Sequence, residues 1–278
     1  MAFETILYEK SENIVKITLN RPEKRNAESV LMSKEIEQAI SQVEADDEAR
    51  VVIIAAAGKD FSAGHDLTDT ATKEERDALT RVPKGAIGLE ATIHNEHERY
   101  LKPRLNFRDM WKVTIAQVQG RVMYGAIQLP MMCDLVLCSD DASFVDLSAR
   151  WGLPITEFST WHYDLPMRIQ KEYLFTADPI TAQEAARWGM VNKVVPREKL
   201  EEETMKLAKR LALIHPFTIK QIKMCCNYTQ DLQGFRESQL FALMIHQIGH
   251  GYARENPQHF PFEGGFPSRG PLPGIKVG

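Results

Sequence analysis

Residues 51–67 read VVIIAAAGKDFSAGHDL, in which a run of consecutive apolar residues leads straight into a glycine-bearing turn. A strand that is apolar on both faces has to be covered on both, which calls for a largely parallel sheet with helices packed over it. The pattern returns at Val113–Val118, which leads into QGRVMYGAIQLPMMCD, Gln119 to Asp134. Each loop connects an apolar strand to an expected helix. Turns of this kind leave backbone N–H groups unpaired, so that two of them can converge on one oxygen atom.

The rest of the chain fits an α/β reading. Strands are expected at Ile6–Tyr8 and Ile14–Leu19, joined at Ser11–Asn13, with Asn20-Arg21-Pro22 ending the second. Val30, Leu31, Ile36, Ala39, Ile40 and Val43 recur at helical spacing between Ser29 and Ala45. Residues 68–88 are polar and patternless, and a mobile loop is expected there. A helix should follow over about 90–110. Strand follows again at 134–138 and 143–145, and helix, turn and strand recur through Thr181–Val195. From 197 the pattern is helical, near 197–213, 216–228 and 232–252. Three parts are expected: a core with the active site over 1–196, a helical oligomerisation region over 197–255, and a Pro/Gly-rich tail over 256–278.

Bulk properties exclude several classes. With 278 residues, a net charge of −4 and no basic stripe, the chain gives no reason to expect nucleic acid or an anionic membrane as partner. No apolar run approaches the roughly 18–20 residues of a membrane span. The start, MAFETILYEK, lacks the layout of a signal peptide. Cys133, Cys138, Cys225 and Cys226 have no zinc spacing and read as reduced thiols, which makes the cytosol the expected compartment.

At the two glycine loops the chain resembles the crotonase (enoyl-CoA hydratase/isomerase) superfamily. The matching pieces are Ile17–Ala27 (ITLNRPEKRNA), Val51–Leu67, the Gly120–Asp134 loop and Thr181–Pro196 (TAQEAARWGMVNKVVP), in family order. The resemblance implies ββα units in a spiral core, a C-terminal helical trimerisation region, and a homotrimer or dimer of trimers. It implies an acyl-CoA thioester as substrate, with coenzyme A part of that substrate and no separate cofactor. Its carbonyl oxygen would lie between the backbone N–H groups of His65 and Gly125, where charge developing on an enolate is stabilised. His65 is expected to contribute its amide rather than its ring. Lys24 and Arg25, with Ala63 and Asp66 of the first loop, match the family's nucleotide-binding region.

The chain departs from the hydratases at both of their catalytic glutamates. The matching positions hold Gln128 and Ser148, and neither side chain cycles a proton as a carboxylate does. The acid/base must therefore come from elsewhere. Four residues beyond Gly152 comes Thr156, with Glu157 next to it; Asp146 and His162 are in reach along the sequence. A carboxylate enclosed by Trp151, Phe158 and Trp161 is expected to have a raised pKa. Tyr124 adjoins the donor glycine. His94 and His97, with Glu98, share a helical face but lack a third ligand at recognisable spacing, so no metal is expected; one of the pair is a candidate base. Met110, Met123, Met131, Met132 and Trp111 suit adaptable packing or an acyl-pocket wall.

Two rival functions stay open at this point. One is CoA-independent hydrolysis of a carbon–carbon bond in a cyclic β-diketone, with a histidine–carboxylate pair activating water. The other is a non-catalytic subunit of the same fold. Isomerisation, hydrolysis and decarboxylation all remain within the thioester reading.

Overall fold

The computed structural model describes residues 3–72, 75–76 and 82–256, without the side chain of Trp151. Much of the expected 68–88 loop and nearly all of the tail lie outside the described residues. Six strands form the main sheet: β1 (Ile6–Ser11), β2 (Ile14–Leu19), β3 (Val51–Ala56), β4 (Val113–Val118), β6 (Leu135–Ser139) and β9 (Lys193–Val195). They lie side by side in that order, with β1 antiparallel to β2 and every other pair parallel. A smaller sheet has the order β5 (Arg121–Met123), β7 (Ser143–Val145), β8 (Ile180–Thr181).

All six residues of β3 are buried, and its two-residue period divides them between two cores. Val52, Ile54 and Ala56 join Val15, Ile17, Met32 and Ile36 on one face. Val51, Ile53 and Ala55 meet Ile115, Leu200 and Ala208 on the other. The first face is covered by α1 (Val30–Glu44), which Ser29 caps by accepting a hydrogen bond from the Met32 N–H. A long helical stretch before β4 comprises α2 (Gly88–Glu96), a π turn (His97–Leu101) and α3 (Lys102–Asp109). The opposite face is covered by α8 (Leu200–Ala212), so the first helix beyond residue 196 packs on the sheet.

Between these lie α4 (Gln128–Met131), preceded by a 3-10 turn (Tyr124–Ile127), then α5 (Trp161–Asp164), α6 (Met167–Thr176) and α7 (Ala182–Trp188). The chain then runs into α9 (Pro216–Leu232) and α10 (Phe235–Glu255). Because β3 and β4 are parallel neighbours, the loops that follow them leave from the same edge of the sheet. Phe61 and Ser62 of the first loop donate backbone hydrogen bonds to the Arg121 carbonyl, and the Met123 N–H donates to the Ser62 carbonyl.

The first loop is anchored on its other side by Glu28. Its N–H donates to the Gly64 carbonyl, and its own carbonyl accepts from the Asp66 N–H. The Glu28 carboxylate is buried and takes two hydrogen bonds from Arg104 Nη2, at 2.9 and 2.7 Å. Burial pushes its pKa up, but the Arg104 guanidinium, with help from His65 and Arg99, outweighs this and holds it below the usual carboxylate range. Replacing Arg104 by Met should therefore cost about 3–5 kcal/mol at neutral pH, because it strands a buried charge. The stability that the depressed pKa provides is present above about pH 4.3 and lost as the pH falls. Urea unfolding at neutral and at acid pH should show the deficit of Arg104→Met shrinking as Glu28 takes up a proton.

Candidate functional site

Glu28 pairs with His65 as a parallel bridge in which Gly64 and Asp66 supply both hydrogen bonds. The N–H of His65 itself therefore points away from Glu28. In the second loop the 3-10 turn at Tyr124–Ile127 begins, and its first residues have no acceptor within the turn. A methyl added to Gly64 would lie 3.7 Å from the Gly125 nitrogen, so the backbones of the two loops are in contact.

Over this junction lies the His65 ring. A side chain on Gly125 would place its first carbon 2.5 Å from His65 Nε2, so only glycine admits the ring there. The ring stacks on Tyr100 at 4.1 Å between centroids and meets Tyr124 edge-on at 6.0 Å. Its Nε2 is 2.8 Å from Glu157 Oε1. Besides the amide expected to serve, the ring of His65 thus meets a second candidate residue, Glu157.

Glu157 is 1% exposed. The same oxygen that meets His65 also accepts a hydrogen bond from Gln128 Nε2 at 2.6 Å, while Oε2 is 3.9 Å from His246 Nε2. Burial alone would raise its pKa, as the sequence reading expected. The neighbouring rings of His65, through charge and hydrogen bond, and of His246 outweigh that effect and hold the carboxyl well below the usual range. Thr156, the residue that the family count lands on, instead turns its hydroxyl to the Phe158 carbonyl at 2.9 Å. Glu157, one residue further on, is the side chain that meets His65 and Gln128.

Asp146 is also buried, and its Oδ1 accepts bonds from the Ser148 N–H at 2.8 Å and hydroxyl at 2.5 Å. Its Oδ2 has no partner among the described residues. Burial, reinforced by the charge of Glu157, raises its pKa. Two neighbouring carboxyl groups are thus pushed in opposite directions, a division suited to one acid and one base.

The other sequence candidates are scattered. His162 is exposed and bonds Gln170 through Nδ1. Lys24 and Arg25 are exposed on the turn before Glu28, where Arg25 Nε lies 3.9 Å from Asp60. The Ala63 N–H donates to the Arg25 carbonyl, and Asp66 pairs with Arg21 at 2.9 Å. His94 is exposed, and His97 Nδ1 is 3.0 Å from Glu98 Oε1. Met110 is buried in the core, whereas Met131 and Met132 line a cavity of about 580 Å³ beside α9.

Sequence reasoning missed Glu96, Tyr100, His246 and His250. Glu96 immediately precedes the π turn and Tyr100 lies within it, where one widened helical turn packs next to His65. His246 and His250 lie four apart on α10, a helix read from sequence as serving assembly alone. That spacing was the available signal. The helix comes close because a side chain at Gly249 would put its first carbon 2.4 Å from Pro154 Cδ. The Ser159 N–H donates to Gln239 and His246 Nδ1 donates to the Ile155 carbonyl, at 2.9 and 2.5 Å, so α10 fixes the segment that carries Glu157.

The chain belongs to the crotonase superfamily: the enoyl-CoA hydratase/isomerase family model matches residues 9–260. It is 37% identical over 260 residues to a Mycobacterium tuberculosis protein named putative enoyl-CoA hydratase EchA13, covering 90% of this chain and 82% of that one. Identity to the hydroxycinnamoyl-CoA hydratase-lyase of Pseudomonas fluorescens is 30% over 223 residues, covering 80% and 77% of the two chains. A crystal structure of a probable enoyl-CoA hydratase from Mycobacterium smegmatis superposes with a TM-score of 0.83 at 40% identity, covering 92% of this chain and 98% of that one.

The depressed pKa of Glu157 makes a prediction for stability. Its ion pairing is fully present above the unfolded value near 4.3 and is lost as the pH falls through the folded value. Glu157→Gln should lower the unfolding free energy by about 1–3 kcal/mol at neutral pH. The gap in urea midpoints between Glu157→Gln and the unmodified chain should narrow as the pH is lowered from about 5 to about 3.5; a constant gap would refute the charge-based account.

Proposed function

We propose that the protein is an enzyme of acyl-CoA chemistry that moves a proton at the carbon beside a thioester carbonyl. The carbonyl oxygen would be held by the N–H groups of His65 and Gly125. A preorganised donor in a dry site lowers the barrier by about 2.7–4 kcal/mol, roughly 10²–10³ in rate. Glu157, ionised and oriented by Gln128 and the His65 ring, would take the proton, and Asp146, buried nearby with its pKa raised, would return one. The observation carrying this reading is the 2.8 Å contact of His65 with Glu157 beside Gly125. With Gln128 and Ser148 at the hydratase positions, water addition by paired glutamates is disfavoured.

The same contact lends some weight to a second reading, in which the histidine–carboxylate pair activates water against a cyclic β-diketone without CoA. The two readings separate on binding. Thioester chemistry predicts CoA affinity that falls in Lys24→Ala and Arg25→Ala, whereas diketone chemistry predicts turnover of cyclic β-diketones and no CoA binding. For the thioester reading, acetyl-CoA incubated with enzyme in D₂O should exchange its methyl protons, as read by NMR. The rate should fall about 10²–10⁴-fold in Glu157→Gln and about 10²–10³-fold if Gly125→Ala dislodges the donor pair. Bound acetyl-CoA with no exchange would sink the enolate step.

The exposed apolar residues of the last helices suit assembly, and we place this chain in a homotrimer or dimer of trimers. Phe217, Tyr228, Phe241, Ile248 and Tyr252 are at least half exposed in the single chain. Light scattering should give three or six times the 31.6 kDa chain mass, falling to a single chain in Phe241→Glu if that face is the interface. Free cysteines, two of them exposed, fit a reducing cytosol. Among the described residues no helix is long and apolar enough to cross a membrane.

A further inference from the structure

We propose that Glu96, His246 and His250 form a binding site for one divalent transition-metal ion of the zinc type, immediately behind Glu157. The ligand atoms of the three residues lie within 4.8 Å of one another. His246 and His250 project from one face of α10, one helical turn apart, and Glu96 faces them from the end of α2. Metal–nitrogen and metal–oxygen bonds of about 2.0–2.2 Å in a tetrahedral site place neighbouring ligand atoms roughly 3.3–3.6 Å apart. The two Nε2 atoms are 2.9 Å apart, and Glu96 lies 3.7 Å from His246 and 3.5 Å from His250. Small side-chain movements suffice to close such a set on an ion.

The surroundings are those that a metal site needs. The Ile155 carbonyl can only accept, so the proton of neutral His246 sits on Nδ1 and its Nε2 lone pair points at the other two ligands. Gln247 Nε2 donates to Glu96 and orients that carboxylate. His246 is 3% exposed, whereas the His250 side chain is 32% exposed and gives an ion a way in. Two imidazoles and one carboxylate suit zinc or ferrous iron and do not suit magnesium or calcium, which prefer all-oxygen shells. Glu157 Oε2 lies 3.9 Å from the same His246 Nε2, so an ion held there would sit close to that carboxylate. The alternative without metal is a hydrogen bond in which His250 Nε2 donates to His246 Nε2.

The test uses the full chain after chelator treatment, titrated calorimetrically with Zn²⁺ alone and, separately, with Mg²⁺. One zinc ion should bind per chain and raise the melting temperature. Affinity should fall at least about 100-fold in His250→Ala and in Glu96→Gln, about 10–100-fold in Gln247→Ala, and remain unchanged in His97→Ala. Folding of each variant is checked by circular dichroism, and His250, being partly exposed, is the safer of the two ligand substitutions. The site is refuted by absent or non-stoichiometric zinc binding, by binding that survives His250→Ala and Glu96→Gln, or by equal affinity for magnesium. These readouts require no turnover, so they stand apart from the thioester reading.

Discussion

A carboxylate removed from water survives as an anion only if donors replace its hydration, and Glu157 receives two of them on one oxygen. The structure around it serves that requirement. His65 comes from the loop after β3, Gln128 from the helix after the β4 loop, and the Glu157 segment is tied down by α10. Remove any of these supports and a buried charge is left without compensation, a penalty of several kcal/mol in a protein whose total stability is only about 5–15 kcal/mol. The site and the fold are therefore stabilised by the same contacts.

The parallel register of β3 and β4 turns sequence-distant loops into neighbours. Val51 pairs with Val113 and Ile54 with Ala116, so both strands end at the same edge. The first loop is then held between two backbones, with Glu28 bonded on one side and Arg121 to Met123 on the other. The buried Glu28–Arg104 pair ties this arrangement to α3. Strain enters at Tyr124, a non-glycine residue with φ of 52°, which begins the turn that presents the Gly125 amide. Such outliers persist only where the surroundings over-determine them, and here His65 and the second loop do so.

The strands that were read correctly from sequence are those whose burial left a one-dimensional trace. Ile14–Leu19, Val51–Ala56, Val113–Val118 and Ser143–Val145 keep their expected bounds, and Ser29 sits at the cap of α1 as the pattern implied. β1 runs three residues past Tyr8 because its polar residues lie on an exposed edge, where pairing with β2 decides strand length. The expected helix over 90–110 is continuous, but its π turn depends on packing against His65 and has no local sequence mark. Glu157 was within reach of a family count, whereas the direction of its pKa was not, since the histidines that set it lie 92 and 89 positions away.

The exchange of both hydratase glutamates becomes intelligible through charge. A glutamate at position 128 would place a second carboxylate where Gln128 now donates at 2.6 Å, and two such anions could coexist only by sharing a proton. Glutamine converts that repulsion into a hydrogen bond to the ionised Glu157. Ser148 acts similarly at the other position, where its N–H and hydroxyl hold one oxygen of Asp146 and leave the second without a partner among the described residues. The two substitutions do not empty the site of acid/base capacity. On the proposed reading that capacity lies instead with a histidine-linked carboxylate that arrives from a different segment of the same fold.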